Sequence, residues 1–140
     1  MSPNVITEAS GTGTGRLNRR PGAMSGCAAD RAVVVSTTDA SALRDAQRTV
    51  SVLRNRIPRI HLVVNRVQPR LLRRLHTTID DAMDTAGLPL LGIVPEDPQV
   101  MLCANQGQPL ILRASRGAAV AYLNIAKRLL GQKAPLMKMR

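Results

Sequence analysis

The sequence predicts an α/β fold in which helices flank a parallel sheet of at least three strands. Three short apolar runs, rich in Val, Leu and Ile, alternate with segments whose apolar residues recur at helical spacing. Continuous apolar strands that alternate with helices are typical of a parallel sheet buried on both faces. The 140 residues include no Trp or Phe and a single Tyr, so the core is aliphatic. A chain of this length is sufficient for one domain.

The first predicted strand follows an irregular segment. Residues 1–29 are rich in Gly, Ser, Thr and Arg and show no sustained apolar period, which predicts a low-complexity, disordered segment. The run RAVVVST at Arg31–Thr37 is too short for a helix and predicts a buried strand. Asp39 or Ser41 then caps a helix. The predicted buried stripe of this helix is Leu43, Ala46, Val50 and Leu53.

The second strand and the helix after it occupy the middle of the chain. IHLVVN at Ile60–Asn65 predicts the strand, and Pro69 opens one long helix. The predicted stripe of this helix is Leu71, Leu72, Leu75, Ile79 and Met83. Gly87 provides its stop, and the run Leu90–Val94 predicts the third strand.

Two further helices complete the predicted domain. Asp97 as N-cap and Pro98 at the first helical position open a short helix. The last helix begins near Ser115 and stops at Gly131. Its helical spacing is carried by Ala119, Tyr122, Ile125, Ala126 and Leu129. Residues 132–140 are predicted to form a basic tail.

Polar residues follow all three predicted strands. They are Thr37–Thr38 after the first, Asn65–Arg66 after the second and Pro95–Asp97 after the third. Ligands of open α/β sheets bind beyond the carboxyl ends of the strands, so these residues mark a candidate site. The Asn65 amide offers both a donor and an acceptor to a purine edge. Alternatively, Asn65 caps the turn before Pro69.

Other kinds of site are not favoured by the residue types. The chain contains no G-x-x-x-x-G-K-[ST] phosphate loop, and Gly11–Gly15 lacks the required lysine. Glu96 and Asp97 are adjacent and do not face each other across a cleft, so they do not predict general acid–base catalysis. Cys27 and Cys103 are far apart and have no nearby histidine, so neither a disulfide nor a metal site is predicted.

The charge balance is strongly basic. The net charge is +11, from 20 Lys and Arg against 9 Asp and Glu. Such a balance suggests nucleic acid or an anionic membrane as a partner. The arginines are spread along the whole chain, however, and base bias in the coding DNA produces the same composition. The two isolated cysteines favour a reduced, cytoplasmic compartment. No apolar run reaches the ~18 residues of a membrane span, and no signal peptide is visible.

Three segments carry a resemblance to a known family. In order, they are ADRAVVVSTTDASALRDAQRTV, VVNRV and GIVPEDPQVMLCANQGQPLI. They resemble the C-terminal half of the MinD branch of the MinD/ParA ATPases, which help to place the bacterial division septum. The resemblance covers about residues 29–131 and is most specific in the PED loop and the A-N-x-G-x-P segment after it. It implies that residues 30–131 are part of a MinD/ParA-like P-loop NTPase domain that binds ATP.

The resemblance also assigns roles to two sets of residues. It implies that Asn65 and Arg66, together with Pro95, Glu96 and Asp97, hold the adenine of the nucleotide. In this family the exposed face of the helix after the first of these strands docks regulators of the MinC and MinE type. Here that face carries Ser41, Arg44, Asp45 and Arg48. A solvated charged face explains the same residues.

The sequence departs from the family before Ala29. The phosphate-binding loop with its lysine is missing, so we interpret the chain as a MinD-like fragment that retains the adenine-side and regulator-docking surfaces. We therefore predict no ATP hydrolysis by this sequence alone, and Mg²⁺ binding only in an intact protein. Homodimerisation and weak peripheral contact with the inner face of the cell membrane stay open. The alternative function is a basic, non-enzymatic module that binds DNA or anionic membrane with a steep salt dependence.

Overall fold

A computed structural model describes residues 5–10 and 30–137 of the chain. Within these residues the strands form a parallel sheet in the order β1-β2-β3-β4. The strands are β1 (Val5–Ser10), β2 (Arg31–Ser36), β3 (Arg59–Val67) and β4 (Leu90–Pro95). The helices are α1 (Ala40–Leu53), α2 (Pro69–Leu75), α3 (Ile79–Ala86), α4 (Pro98–Asn105) and α5 (Ala118–Leu129), with a 3-10 turn at Leu110–Leu112. The predicted α/β class with a parallel sheet is confirmed.

Strand β1 corrects the prediction for the start of the chain. The sequence predicts disorder over residues 1–29, and this is wrong for residues 5–10, which pair in parallel with β2. β1 is as long as β2, but its sequence VITEAS contains no continuous apolar run, and its hydrogen bonds come from pairing with β2. Two features discussed above, Gly11–Gly15 and Cys27, lie outside the described residues.

Helices cover both faces of the sheet. On one face Val34 of β2 and Leu62 of β3 pack with the buried side of α1. On the other face Val33 and Val63 of the same strands pack with Ala118 of α5. Successive residues of a strand point to opposite faces, so the continuous apolar runs supply both layers. None of the helices in the described part of the chain is long and apolar enough to cross a bilayer.

Helix α1 forms as the sequence predicts. Asp39 is its N-cap, and the Asp39 carboxylate accepts a hydrogen bond from the Ala42 backbone N–H at 3.1 Å. Ser41, the other candidate cap, is exposed within the first turn. The predicted stripe faces the sheet, with Leu43, Ala46 and Val50 buried and Leu53 partly buried.

The long helix predicted after Pro69 is in fact two helices. His76 adopts a left-handed φ of 51° and ends α2. Thr78 then starts α3 through a capping box, in which the Asp81 carboxylate accepts from the Thr78 backbone N–H at 2.6 Å. These end signals outweigh the apolar spacing that predicts one helix. Two members of the predicted stripe are exposed as a result: Leu71 and Leu75.

A glycine allows β4 to pack closely against α5. A Cβ atom at Gly92 would lie 2.2 Å from Ile125 Cγ1, so a side chain there would require the Ile125 side chain or the helix to move. The start of α4 at Pro98 is as predicted. Helix α5 starts at Ala118 and not near Ser115, for a reason that lies in the site described next.

Candidate functional site

The polar strand ends lie side by side at one edge of the sheet. Strands β2, β3 and β4 are adjacent and parallel, so their carboxyl ends reach the same edge. We call residues 37–39, 65–66 and 95–97 the carboxyl edge. The structure therefore brings together the two strand ends that the sequence assigns to a purine, and a third strand end beside them.

A β-bulge distorts the end of β3. The register shifts between Val64 and Val67, where β3 advances by one residue more than β4. Within this bulge Arg66 adopts a left-handed φ of 54°, which is uncommon for a residue with a side chain. Bulges re-aim side chains and are frequent beside functional sites. The sequence gives no sign of the bulge, because neither Asn65 nor Arg66 is a glycine.

An ion pair joins the ends of β3 and β4. Arg66 Nε lies 3.1 Å from Glu96 Oε2, and the Glu96 backbone N–H donates to the Val67 carbonyl at 3.0 Å. The two side chains are 67% and 38% exposed, so the pair is worth at most about 1 kcal/mol. Its main effect is to hold the two strand ends in a defined relative position.

Asp97 caps two helices at once. Its Oδ1 accepts from the Gln99 backbone N–H at 2.9 Å in α4, which is the cap the sequence predicts. Its Oδ2 accepts from the Ala118 backbone N–H at 3.1 Å, so the same carboxylate starts α5. Gly117 precedes α5 with φ 62°, and a Cβ atom there would lie 2.5 Å from Asp97 Oδ2. A glycine is therefore required for this second cap.

A surface pocket of about 440 Å³ opens beside Asp97. It is lined by Asp97, Gln99 and residues 113–117, which form the loop before α5. Its volume lies within the range of small-molecule sites. Of the predicted adenine-binding residues, Asp97 lines this pocket, whereas Arg66 and Glu96 lie at the bulge. The loop at residues 113–117 is a part of the site that the sequence analysis missed, and its signal was Gly117 immediately before an apolar helix.

Asn65 is half-buried, and its amide makes no hydrogen bond to the described residues. The turn before Pro69 is formed without it, since the N-cap of α2 is Gln68 and no side chain caps this helix. The alternative role of Asn65 as a cap of this turn is therefore wrong. Its donor and acceptor remain available for another group.

The residues that follow β2 cap helix α1. The Thr37 hydroxyl donates to the Asp39 carboxylate, and this hydrogen bond is the main cause that lowers the pKa of Asp39. The charged carboxylate in turn accepts from the first turn of α1. Asp39 therefore acts as a structural group at neutral pH.

The predicted partner face of α1 is exposed. Arg48 Nη1 lies 3.6 Å from Asp45 Oδ1, and Arg44 Nε donates to the Ala40 carbonyl at 3.3 Å. Each of the four predicted residues is accessible: Ser41, Arg44, Asp45 and Arg48. Exposure is consistent both with docking and with a solvated face.

The carboxylates of the carboxyl edge make contacts within the protein. Glu96 is paired with Arg66, and both oxygens of Asp97 accept from helix starts. Within the residues that the structure describes, no group of three or more His, Cys, Asp or Glu residues could hold a metal ion. The arrangement can orient a ligand by hydrogen bonds and shape.

Comparison with known proteins identifies close relatives, although no family model matches the chain. The septum site-determining protein MinD of Bacillus subtilis (strain 168) is 40% identical over 111 residues, which are 77% of this chain and 41% of that protein. The protein of the same name from Synechocystis sp. is 35% identical over 112 residues, 78% of this chain and 42% of that protein. The chain thus spans about two fifths of the length of these relatives.

Solved structures share the fold. The MinD cell division protein of Aquifex aeolicus matches with a TM-score of 0.73 at 29% identity, covering 79% of this chain and 48% of that chain. A chain of the MinC:MinD complex from the same organism matches with a TM-score of 0.73 at 29% identity, covering 80% and 47%. MinD of Pyrococcus horikoshii complexed with Mg-ADP has a TM-score of 0.63 at 23% identity, covering 72% and 41%, and shows the fold alone.

Proposed function

The chain is a homologue of the MinD branch of the MinD/ParA ATPases, and on this premise we propose that its carboxyl edge is the adenine side of a MinD-like nucleotide site. Septum placement is then the process that it serves. The alternative, a basic module for DNA or anionic membrane, is not favoured, because the reported relatives are MinD proteins.

The observation that carries the proposal is the bulge at residues 65–66 with its ion pair to Glu96. The bulge ends the regular ladder of β3, and the 3.1 Å contact ties this end to the loop after β4. The unengaged Asn65 amide lies in the same bulge and supplies the donor and acceptor that a purine edge requires. Pro95 stiffens the neighbouring loop.

The cofactor implied by this proposal is ATP. The carboxyl edge suits its base, since the Asn65 amide and nearby backbone groups can bind it, while the carboxylates there already cap helices or pair with Arg66. The described residues offer no carboxylate cluster for Mg²⁺, so we assign no Mg²⁺ ligand to them. The bound nucleotide supplies the phosphoanhydride bond that an ATPase cleaves, and this chain's residues bind and orient the base. We expect no ATP hydrolysis by this sequence alone.

The test is a nucleotide titration with matched asparagine variants. Calorimetry should show that the chain binds ADP more tightly than GDP and that Asn65→Ala weakens ADP binding about tenfold, the effect of losing one to two hydrogen bonds. Asn55→Ala is the control, because Asn55 is an exposed asparagine in the loop before β3. Equal binding of ADP and GDP, or an Asn65→Ala variant that binds like the parent, would contradict the adenine role.

We further infer that the exposed face of α1 docks a MinC-type regulator, as the MinC:MinD complex among the structural neighbours suggests. The Arg44→Ala/Arg48→Ala variant should lose capture of purified MinC at least about tenfold, because both arginines lie on this face. Arg70→Ala/Arg73→Ala is the matched control, since it removes the same charge from the exposed side of α2. Equal losses in both variants would indicate a general charge effect and would remove the docking role.

A further inference from the structure

The opposite edge of the sheet carries basic residues on the face that packs against α5. Arg31 opens β2 and lies in register with Arg59, which opens β3. His61 lies in register with Val33, and Val33 packs against α5. Because side chains alternate along a strand, Arg31, Arg59 and His61 share that face. Arg59 is exposed at the start of its strand, whereas Arg31 and His61 are partly buried on a face that is normally apolar in parallel sheets, so these two require an explanation.

The end of α5 and the segment after it bring further cations to this edge. A pocket of about 480 Å³ has His61, Leu90, Arg128 and Lys133 in its wall, and we call it the amino-end pocket. Arg128 donates to the Ala134 carbonyl at 3.2 Å and to the Leu90 carbonyl at 3.5 Å. These backbone contacts fix the guanidinium at the pocket wall.

No described carboxylate neutralises this charge. The ion pairs within residues 30–137 lie on α1 and at the carboxyl edge. Asp30 precedes Arg31 in the chain, but it forms no ion pair with the described residues. Arg31 donates to the Leu129 carbonyl at 2.8 Å, yet its Nε is buried without a described partner, and so is His61 Nδ1. Such buried groups are normally satisfied.

The field at the pocket is positive. Burial is the main cause that lowers the pKa of His61, and the charges of Arg31, Arg128 and Arg59 lower it further. Arg31 and Arg128 stabilise the fold by hydrogen bonds to the backbone. Arg31 donates to the Leu129 carbonyl at the end of α5, and Arg128 donates to the Ala134 carbonyl in the segment after it. Arg59 and Lys133 are exposed and make no hydrogen bond or ion pair with the described residues. Helix capping therefore does not account for these two cations.

We propose that the amino-end pocket binds a phosphate-type oxyanion, held by His61 and Lys133 in its wall and by Arg59 beside it. A phosphate group is small enough to enter a pocket of this volume. Its oxygens accept hydrogen bonds from the cationic Lys133 and Arg59 side chains and from an imidazole N–H, and its charge offsets the repulsion between the cations. Free phosphate, a small phosphomonoester and a phospholipid headgroup share this chemistry. The pocket lies at the other end of the strands from the carboxyl edge, so this binding is separate from adenine recognition.

The test is an NMR titration of the whole chain with inorganic phosphate at constant ionic strength. The His61 imidazole signals should shift saturably, and the signals of His76, an exposed histidine outside the pocket, should not. In Arg59→Ala/Lys133→Ala the saturation midpoint should rise at least about tenfold. In Arg70→Ala/Arg73→Ala, with the same loss of charge on α2, it should change by less than about twofold.

A second arm distinguishes the source of the anion. Sedimentation with phosphatidylglycerol vesicles, compared with phosphatidylcholine vesicles, tests the headgroup. Vesicle binding that Arg59→Ala/Lys133→Ala loses and Arg70→Ala/Arg73→Ala keeps, in the absence of a response to free phosphate, would identify a lipid headgroup as the ligand. The proposal is overturned if neither probe binds, or if both double variants weaken binding equally, since net charge then explains the result.

Discussion

The charged side chains at the two ends of the strands differ in whether they have partners within the protein. At the carboxyl edge Arg66 pairs with Glu96, while Asp39 and Asp97 cap helices. At the opposite edge, where the strands begin and which we call the amino edge, Arg31, Arg59 and Arg128 lie near His61. None of these cations forms an ion pair with the described residues. The charged side chains at the carboxyl ends of the strands therefore have partners within the protein, whereas Arg59 and Lys133 at the amino ends have none among the described residues.

This difference shows which polar groups the fold itself requires. Asp39 and Asp97 of the carboxyl edge cap helices and Glu96 pairs with Arg66, whereas the Asn65 amide makes no hydrogen bond to the described residues. At the amino edge Arg59 and Lys133 make no hydrogen bond or ion pair with the described residues, and such uncompensated charge favours an external anion.

Asp97→Ala should destabilise the protein by about 2–3 kcal/mol, because it removes the N-caps of both α4 and α5 and each cap is worth about 0.5–2 kcal/mol. Urea unfolding followed by circular dichroism measures the change. Asp84→Ala, at an exposed carboxylate of α3, is the control. A loss no larger than that of the control would mean that the double cap is not formed.

The pH dependence of stability should differ between the edges. The pKa of His61 is lowered in the folded protein, so below the ordinary histidine pKa of 6.5 the unfolded chain binds more protons than the folded protein does. The free energy of unfolding therefore decreases as the pH falls through 6.5. The pKa of Asp39 is also lowered, so its contribution is present above 3.8 and is lost as the pH falls further. His61→Gln should flatten the slope of unfolding free energy between about pH 7 and 5. Asp39→Asn should flatten it only in the more acidic range, and His76→Gln should leave the His61 slope in place.

The Arg66–Glu96 pair should contribute little to stability. A double-mutant cycle with Arg66→Gln and Glu96→Gln should give a coupling free energy of about 0.5 kcal/mol, which high salt reduces. The measurement is chemical unfolding at two ionic strengths. A coupling above about 2 kcal/mol would show that this edge depends on the ion pair for its folding and not merely for its geometry.

Arg59→Gln should stabilise the protein slightly. Arg59 and Arg31 lie in register, and like charges on paired strands repel, so removal of one should raise the unfolding free energy by a few tenths of a kcal/mol at low salt. Thermal unfolding at two salt concentrations measures this gain, which should shrink as salt increases. Arg70→Gln is the matched control. If Arg59→Gln destabilised the chain, the cations of the amino edge would be needed by the fold.

Local features of the sequence were sufficient for most of the secondary structure. The apolar runs predicted β2, β3 and β4, and the Asp-Pro pair at Asp97–Pro98 predicted the start of α4. These signals act over a few residues, through burial of a continuous run or a cap two positions away. The break between α2 and α3 was also encoded locally, in the capping box of Thr78 and Asp81, but the longer apolar spacing concealed it.

Periodicity and capping are properties of neighbouring residues, so they were enough to predict the α/β class, the parallel strands and the polar residues that follow them. The tertiary structure alone decided the pairing of β1, the bulge at residues 65–66, the second cap made by Asp97 and the gathering of cations around His61. Each of these depends on the register between strands or on a contact between distant residues, such as the 21 positions that separate Asp97 from Ala118. No local pattern specifies such a contact.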